Sequence, residues 1–179
     1  MRVCRATMRR AIIAAVLLVL PAVVFAAGVS PQDRALLAAR EAFVCGDEPR
    51  LAGYIGKLRG HLLESYPAFW QLQLQIEEAD PREVQDFLIR NRGTVLAERM
   101  RRDWLRVLGK NGQWDLFRQE FPQLVQADFE VDGYALQERW RRQDPSVSAE
   151  IRSLWKSPRL LPAGSAPVVE AMVQSGALS

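Results

Sequence analysis

"RRDWLRVLGKNGQWDLFRQEF", residues 101–121, decides the fold. Each half carries a tryptophan, Trp104 or Trp114, among apolar residues at helical spacing, and Gly109-Lys110-Asn111-Gly112 lies between the halves. Glycine destabilises a helix interior and tolerates the left-handed backbone that ends one, and Asn shares the second property. The stretch therefore predicts a helix, a tight stop across 109–112 and a second helix. On the same spacing, Trp104, Leu105 and Trp114 are expected on the inward faces.

On both sides of this stretch helices are predicted nearly everywhere. "PQDRALLAAREAFVCG" repeats apolar residues at helical spacing until Gly46, and Asp47-Glu48-Pro49 opens a second helix with acidic residues suited to its positive end. "SYPAFWQLQLQIEEA" alternates like a strand at Leu72, Leu74 and Ile76, but its neighbours favour helix. Asp80-Pro81 starts "PREVQDFLIRN"; "VLAERMRRDWLRVLG", "QWDLFRQEFPQL", "GYALQERWRRQ" and "SAEIRSLWKS" follow. Three stretches, 38–58, 101–121 and 135–155, each read as helix, polar turn, helix at irregular spacing. A lone hairpin cannot bury its apolar face and a stack can. The expected fold is all-α, a right-handed superhelical stack of helical hairpins.

Charge and export are linked. The 179 residues carry 24 Lys and Arg against 21 Asp and Glu, a net +3. Arg2, Arg5, Arg9 and Arg10 precede the apolar run 11–24, and small residues follow at 26–27, the pattern of a cleaved secretory signal over 1–27. The run is shorter than the ~20 residues of a membrane span, so no stable insertion is expected after cleavage. Without those four arginines the balance is 20 against 21, a net −1, which removes the main argument for nucleic acid as a partner. Arg99, Arg101 and Arg102 beside Trp104, and Arg139, Arg141 and Arg142 beside Trp140, read as solvated helix flanks with the ring turned inward. Cys4 leaves with the signal, so Cys45 is left without an internal partner and is expected to be packed inside. Residues 28–179 suffice for one domain.

A search for chemistry finds little. His61 has no companion at metal-ligand spacing. Ser65 near His61 does not make a triad by sequence proximity, and Glu77, Glu78 and Asp80 read as a helix end and the following N-cap. No catalytic, cofactor or metal residue is assigned.

From about residue 34 onward the chain resembles the N-terminal, α-superhelical (U-type) region of soluble lytic murein transglycosylases, periplasmic enzymes of peptidoglycan turnover. Three segments carry the likeness: "GHLLESYPAFWQLQL", with Leu62 where Pro is usual and Phe69 in place of Tyr; "DPREVQDFLIRNRGTVLAERMRRDWLRVLGKNGQWDLF"; and "GYALQERW" with "LLPAG". The resemblance implies a periplasmic scaffold with glycan strands as partner and no cofactor. The family's glycosidic bond is cut by a Glu in a separate lysozyme-like domain, which is not expected within a chain ending Gly176-Ala177-Leu178-Ser179; Glu64-Ser65 imitates the catalytic dipeptide but lies inside the superhelical match. The resemblance also implies that the family's paired cysteines align with Gly133 and Gly164. A free-standing periplasmic helical-repeat module that binds a protein is the alternative expectation.

Overall fold

The structure, a computed structural model, describes residues 29–156 and 161–178; the expected signal peptide, 1–27, lies outside them. Among the described residues there are nine α-helices and no strand. They are α1 Pro31–Val44, α2 Glu48–Ile55, α3 Ser65–Leu74, α4 Pro81–Arg90, α5 Val95–Lys110, α6 Trp114–Glu120, α7 Phe129–Arg141, α8 Ser146–Trp155 and α9 Ala166–Gln174. Short 3₁₀ turns occupy Gly56–Leu58, Phe121–Gln123 and Ala163–Ser165. No described helix is long and apolar enough to cross a membrane.

The helices start where side chains satisfy their free N–H groups. Asp47 accepts from the Arg50 N–H, Asp80 from Arg82, Thr94 from Ala97, and Asp128 from Glu130 and Val131. Asp80 is thus the N-cap expected of it. Asp128 starts α7 four residues ahead of the expected Gly133, because a capping carboxylate outweighs the polar look of "DFEVD". The segment of α9 carried no helix expectation; it begins after Ser165 with a proline in its first turn.

The opening stretch folds as helix, stop, helix, but the stop is narrower than expected. α5 continues through Gly109 to Lys110, and Gly112, at φ +67°, makes the turn. Gly109 is buried inside the helix for a packing reason: a Cβ there would lie 2.3 Å from Cγ of the Tyr134 ring on α7. Trp104 and Leu105 are buried as expected, whereas Trp114 is only half-buried. Cys45 is exposed, contrary to expectation, because it lies just past the last residue of α1, where the chain turns out to Gly46. Arg101 also departs from the solvated-flank reading. It is 7% exposed, and its guanidinium bonds Glu120 on α6 at 3.3 Å and Glu98 at 3.2 Å.

Gln32–Ser179 make one compact unit, and its core is serial. Ala39, Ala42, Leu51 and Leu58 form one cluster. Phe69, Phe87, Met100, Trp104, Leu108 and Phe117 centre a second, and Trp70 touches both. Leu136, Val147, Ile151, Val168 and Met172 form the third. α7 is the hinge between the last two, with Val131 and Ala135 in one and Leu136 in the other. α3 packs on α5, α5 on α7 and α7 on α9, while the even-numbered helices pack on their sequence neighbours.

Candidate functional site

The residues weighed for chemistry are held in structural roles. His61 Nε2 lies 3.1 Å from Asp33 and its Nδ1 accepts from the Leu63 N–H at 3.1 Å, so both ring nitrogens are engaged and neither faces Ser65. Glu64 accepts from the Gly60 N–H at 2.6 Å across a turn. Glu77 pairs with Lys110 at 3.0 Å. These groups are not brought together.

Several concavities contain polar side chains, and two of them differ in how those groups are used. One, of about 460 Å³, surrounds Arg101 and Glu120. Gln85 and Gln123 both donate to the Glu120 carboxylate at 3.5 Å, so Arg101, Glu120, Gln85 and Gln123 are turned on one another, while Arg92 in the same lining is exposed. Such a closed network rigidifies the junction of α4, α5 and α6.

The other is a groove of about 680 Å³ where α7 ends and α8 begins, lined by Trp140, Arg141, Gln143, Asp144, Pro145 and Ser148. Its geometry comes from the α7 stop. The Gln143 N–H donates to the Trp140 carbonyl at 2.8 Å and the Asp144 N–H to the Arg139 carbonyl at 3.1 Å, the Schellman pattern. The same pair of bonds ends α1 at Gly46, α5 at Gly112 and α9 at Gly176, each with a left-handed glycine. Here the left-handed residue is Gln143, φ +61°, the one non-glycine with positive φ among the described residues. A side chain in that conformation costs about 1–2 kcal/mol.

Asp144 braces the floor. It accepts from Arg139 Nε at 3.0 Å and from the Ser146 N–H and hydroxyl at 2.9 and 2.5 Å. The Ser146 hydroxyl first, then the Arg139 guanidinium, holds its pKa at about 2. Arg141 lays its guanidinium 5.5 Å from the centre of the Trp114 ring. The Trp140 indole N–H, the Gln143 amide, the Arg141 guanidinium and the Ser148 hydroxyl have no hydrogen-bond or ion-pair partner among the described residues. Arg141 and Arg142 are exposed and Trp140 packs against the cluster around Leu136 and Ile151, as the solvated-flank reading expected; the groove itself was not anticipated, and the signal available for it was a helix end, "RRQDP", with no glycine to stop it.

Gly133 on α7 lies against Gly164 in the turn before α9. A Cβ on Gly133 would come within 2.6 Å of the Gly164 nitrogen and 2.7 Å of its Cα, and one on Gly164 within 2.7 Å of the Tyr134 nitrogen. The two Cα atoms are therefore within about 4.3 Å of each other. No family model, curated protein or solved structure matches this chain.

Proposed function

We propose that the chain is an exported, non-catalytic α-superhelical scaffold of the lytic-transglycosylase type, with the glycan strands of peptidoglycan as its partner. The observation that carries the reading is the contact of Gly133 with Gly164. These positions, 31 residues apart in sequence and touching in the fold, are the ones that the resemblance aligns with the family's paired cysteines, which supports the reading. Support for the superhelical form comes from the succession of α3 on α5, α5 on α7 and α7 on α9, the next-but-one packing of a hairpin stack.

The test is fractionation followed by pelleting with insoluble sacculi. Protein recovered from periplasm should begin near residue 28, sediment with sacculi and release no anhydro-muropeptides detectable by mass spectrometry. Product release that disappears in Glu64→Gln would overturn the scaffold reading. A second reading, a protein-binding helical-repeat module, is favoured by a different feature: Leu62 and Val95, 94% and 83% exposed, flank a small cleft beside Tyr66 and Leu96. Chemical crosslinking in periplasm that yields a single protein adduct and no glycan would favour it.

A further inference from the structure

We propose that the adjoining loops 59–64 and 90–95 form a peripheral docking surface for an anionic phospholipid bilayer. Leu62 and Val95 enter the headgroup layer, and Arg59, Arg90 and Arg92 meet its phosphates. The inference goes beyond the glycan reading and does not depend on it.

Three observations converge on these loops. The first is apolar exposure at projecting positions. Leu62 is the most exposed large apolar side chain among the described residues, and Val95 is comparably open. Both line one small cleft with Leu63, Tyr66 and Leu96, so the two loops lie side by side. Ile89, also exposed, shares the neighbouring cavity with Arg92.

The second is charge. Residues 59–64 and 90–95 hold three arginines and one acid, Glu64. Arg59, Arg90 and Arg92 are exposed, and their guanidinium groups have no hydrogen-bond or ion-pair partner among the described residues. Glu64 is turned back onto the Gly60 N–H at 2.6 Å. Uncompensated positive charge thus surrounds the protruding apolar groups. An anionic bilayer answers both, taking the apolar tips into its boundary layer and the cations onto its surface.

The third is rigidity. Gly60 and Gly93, each at φ +77°, make the turns. In the first loop His61 Nδ1 accepts from the Leu63 N–H while Nε2 lies against Asp33. In the second the Thr94 hydroxyl donates to the Asn91 carbonyl at 2.7 Å, and the Asn91 amide to the Phe87 carbonyl at 2.9 Å. Held this way the apolar tips project instead of folding back, and little freedom is lost on docking.

The patch is the one that the protein-binding reading uses, and its shape decides for lipid. The cleft between the loops encloses about 240 Å³, too little to seat a partner helix along its apolar face, and Leu62 stands at its lip. A protruding tip ringed by arginines enters a fluid boundary layer without needing a matching pocket. No described helix is long and apolar enough to cross the bilayer, so the contact is peripheral.

The test uses the exported form, residues 28–179, because Gln32–Ser179 make one compact unit and the basic, apolar segment 1–27 would bind lipid by itself. Partition onto sedimented vesicles is measured for phosphatidylcholine alone and for an equimolar mixture of phosphatidylcholine and phosphatidylglycerol. The wild type should bind the mixed vesicles, ignore the neutral ones and be released as salt is raised. Leu62→Ser combined with Val95→Ser should bind about tenfold more weakly, the loss expected when two partly buried apolar side chains are removed. Arg59→Gln and Arg92→Gln should each weaken binding about fivefold. Val173→Ser, which removes an exposed valine of α9 outside the patch, should bind as wild type. All these side chains are exposed, so every variant should melt as wild type does. Equal binding to the two kinds of vesicle overturns the proposal, as does equal binding of wild type and the Leu62→Ser, Val95→Ser variant. A wild type that ignores both vesicles but crosslinks to a periplasmic protein through a photoreactive group in place of Leu62 also overturns it, and assigns the patch to a protein. Pelleting with sacculi in the absence of vesicle binding overturns this surface and leaves the glycan reading standing.

Discussion

At the scale of the residue, glycine does two unlike jobs in this chain, and only one of them can be read from local sequence. Gly112 supplies a left-handed turn, whereas Gly133 and Gly164 let two backbones touch. Gly133→Ala should therefore lower stability by about 1–3 kcal/mol, because the added methyl meets backbone that cannot swing aside; urea unfolding measures it. A disulfide across these positions needs Cα atoms about 4.4–6.8 Å apart, so the glycines allow a closer approach than a cystine would. Two carboxylates offer a second residue-level check, of opposite sign. Partial burial, then the like charges of Asp128 and Glu150, raises the pKa of Asp132, so its ionised form opposes folding. Asp132→Asn should raise the melting temperature at pH 7 and change nothing well below the unfolded carboxylate pKa of about 3.9. Asp144 is held at about 2, so its contribution is present above about pH 3.9 and fades as pH falls toward 2. Asp144→Asn should accordingly lower the melting temperature at pH 7, and the difference from wild type should close in strong acid.

For single elements, α5 is the test of how much the sequence discloses. Its apolar spacing placed Trp104 and Leu105 inside, and Trp104→Ala should cost about 3–5 kcal/mol or prevent soluble expression. Gly109→Ala should also destabilise, despite alanine's better helix propensity, since its methyl collides with Tyr134. Tyr134→Ala in the same chain should recover part of that loss, a coupling that a double-mutant cycle in urea would measure. Periodicity and caps made most helices legible, because both act within a few residues. What stayed hidden depends on a neighbour distant in sequence: Tyr134 filling the space over Gly109, and Glu120 drawing Arg101 inside; the exposure of Cys45 is local, set by its place just past the end of α1. The groove was half legible. "RRQDP" shows a helix ending without glycine, but that Trp140, Gln143 and Ser148 lack partners follows only from the packing of α8 against α7.

For the molecule as a whole, stability is distributed along the chain. The middle cluster is the largest of the three, and they communicate through Trp70 and through α7. Amide hydrogen exchange should find the slowest protons in α5, which lies in the middle cluster and contacts α3, α4, α6 and α7. Exchange in α1 and α9 should be faster, through openings that leave α5 protected. Identical protection from α1 to α9 would mean a single cooperative core instead.

The serial core also sets how the protein answers to force. A single central core resists stretching until it fails at once, but cores in line yield one after another, each at a small load. Pulled from its two ends, this chain would lengthen in steps, with the terminal clusters peeling first and the α3–α7 cluster last. Each step would be reversible as long as the middle cluster held. Such compliance would let the outer helices give way and re-form while the central fold holds.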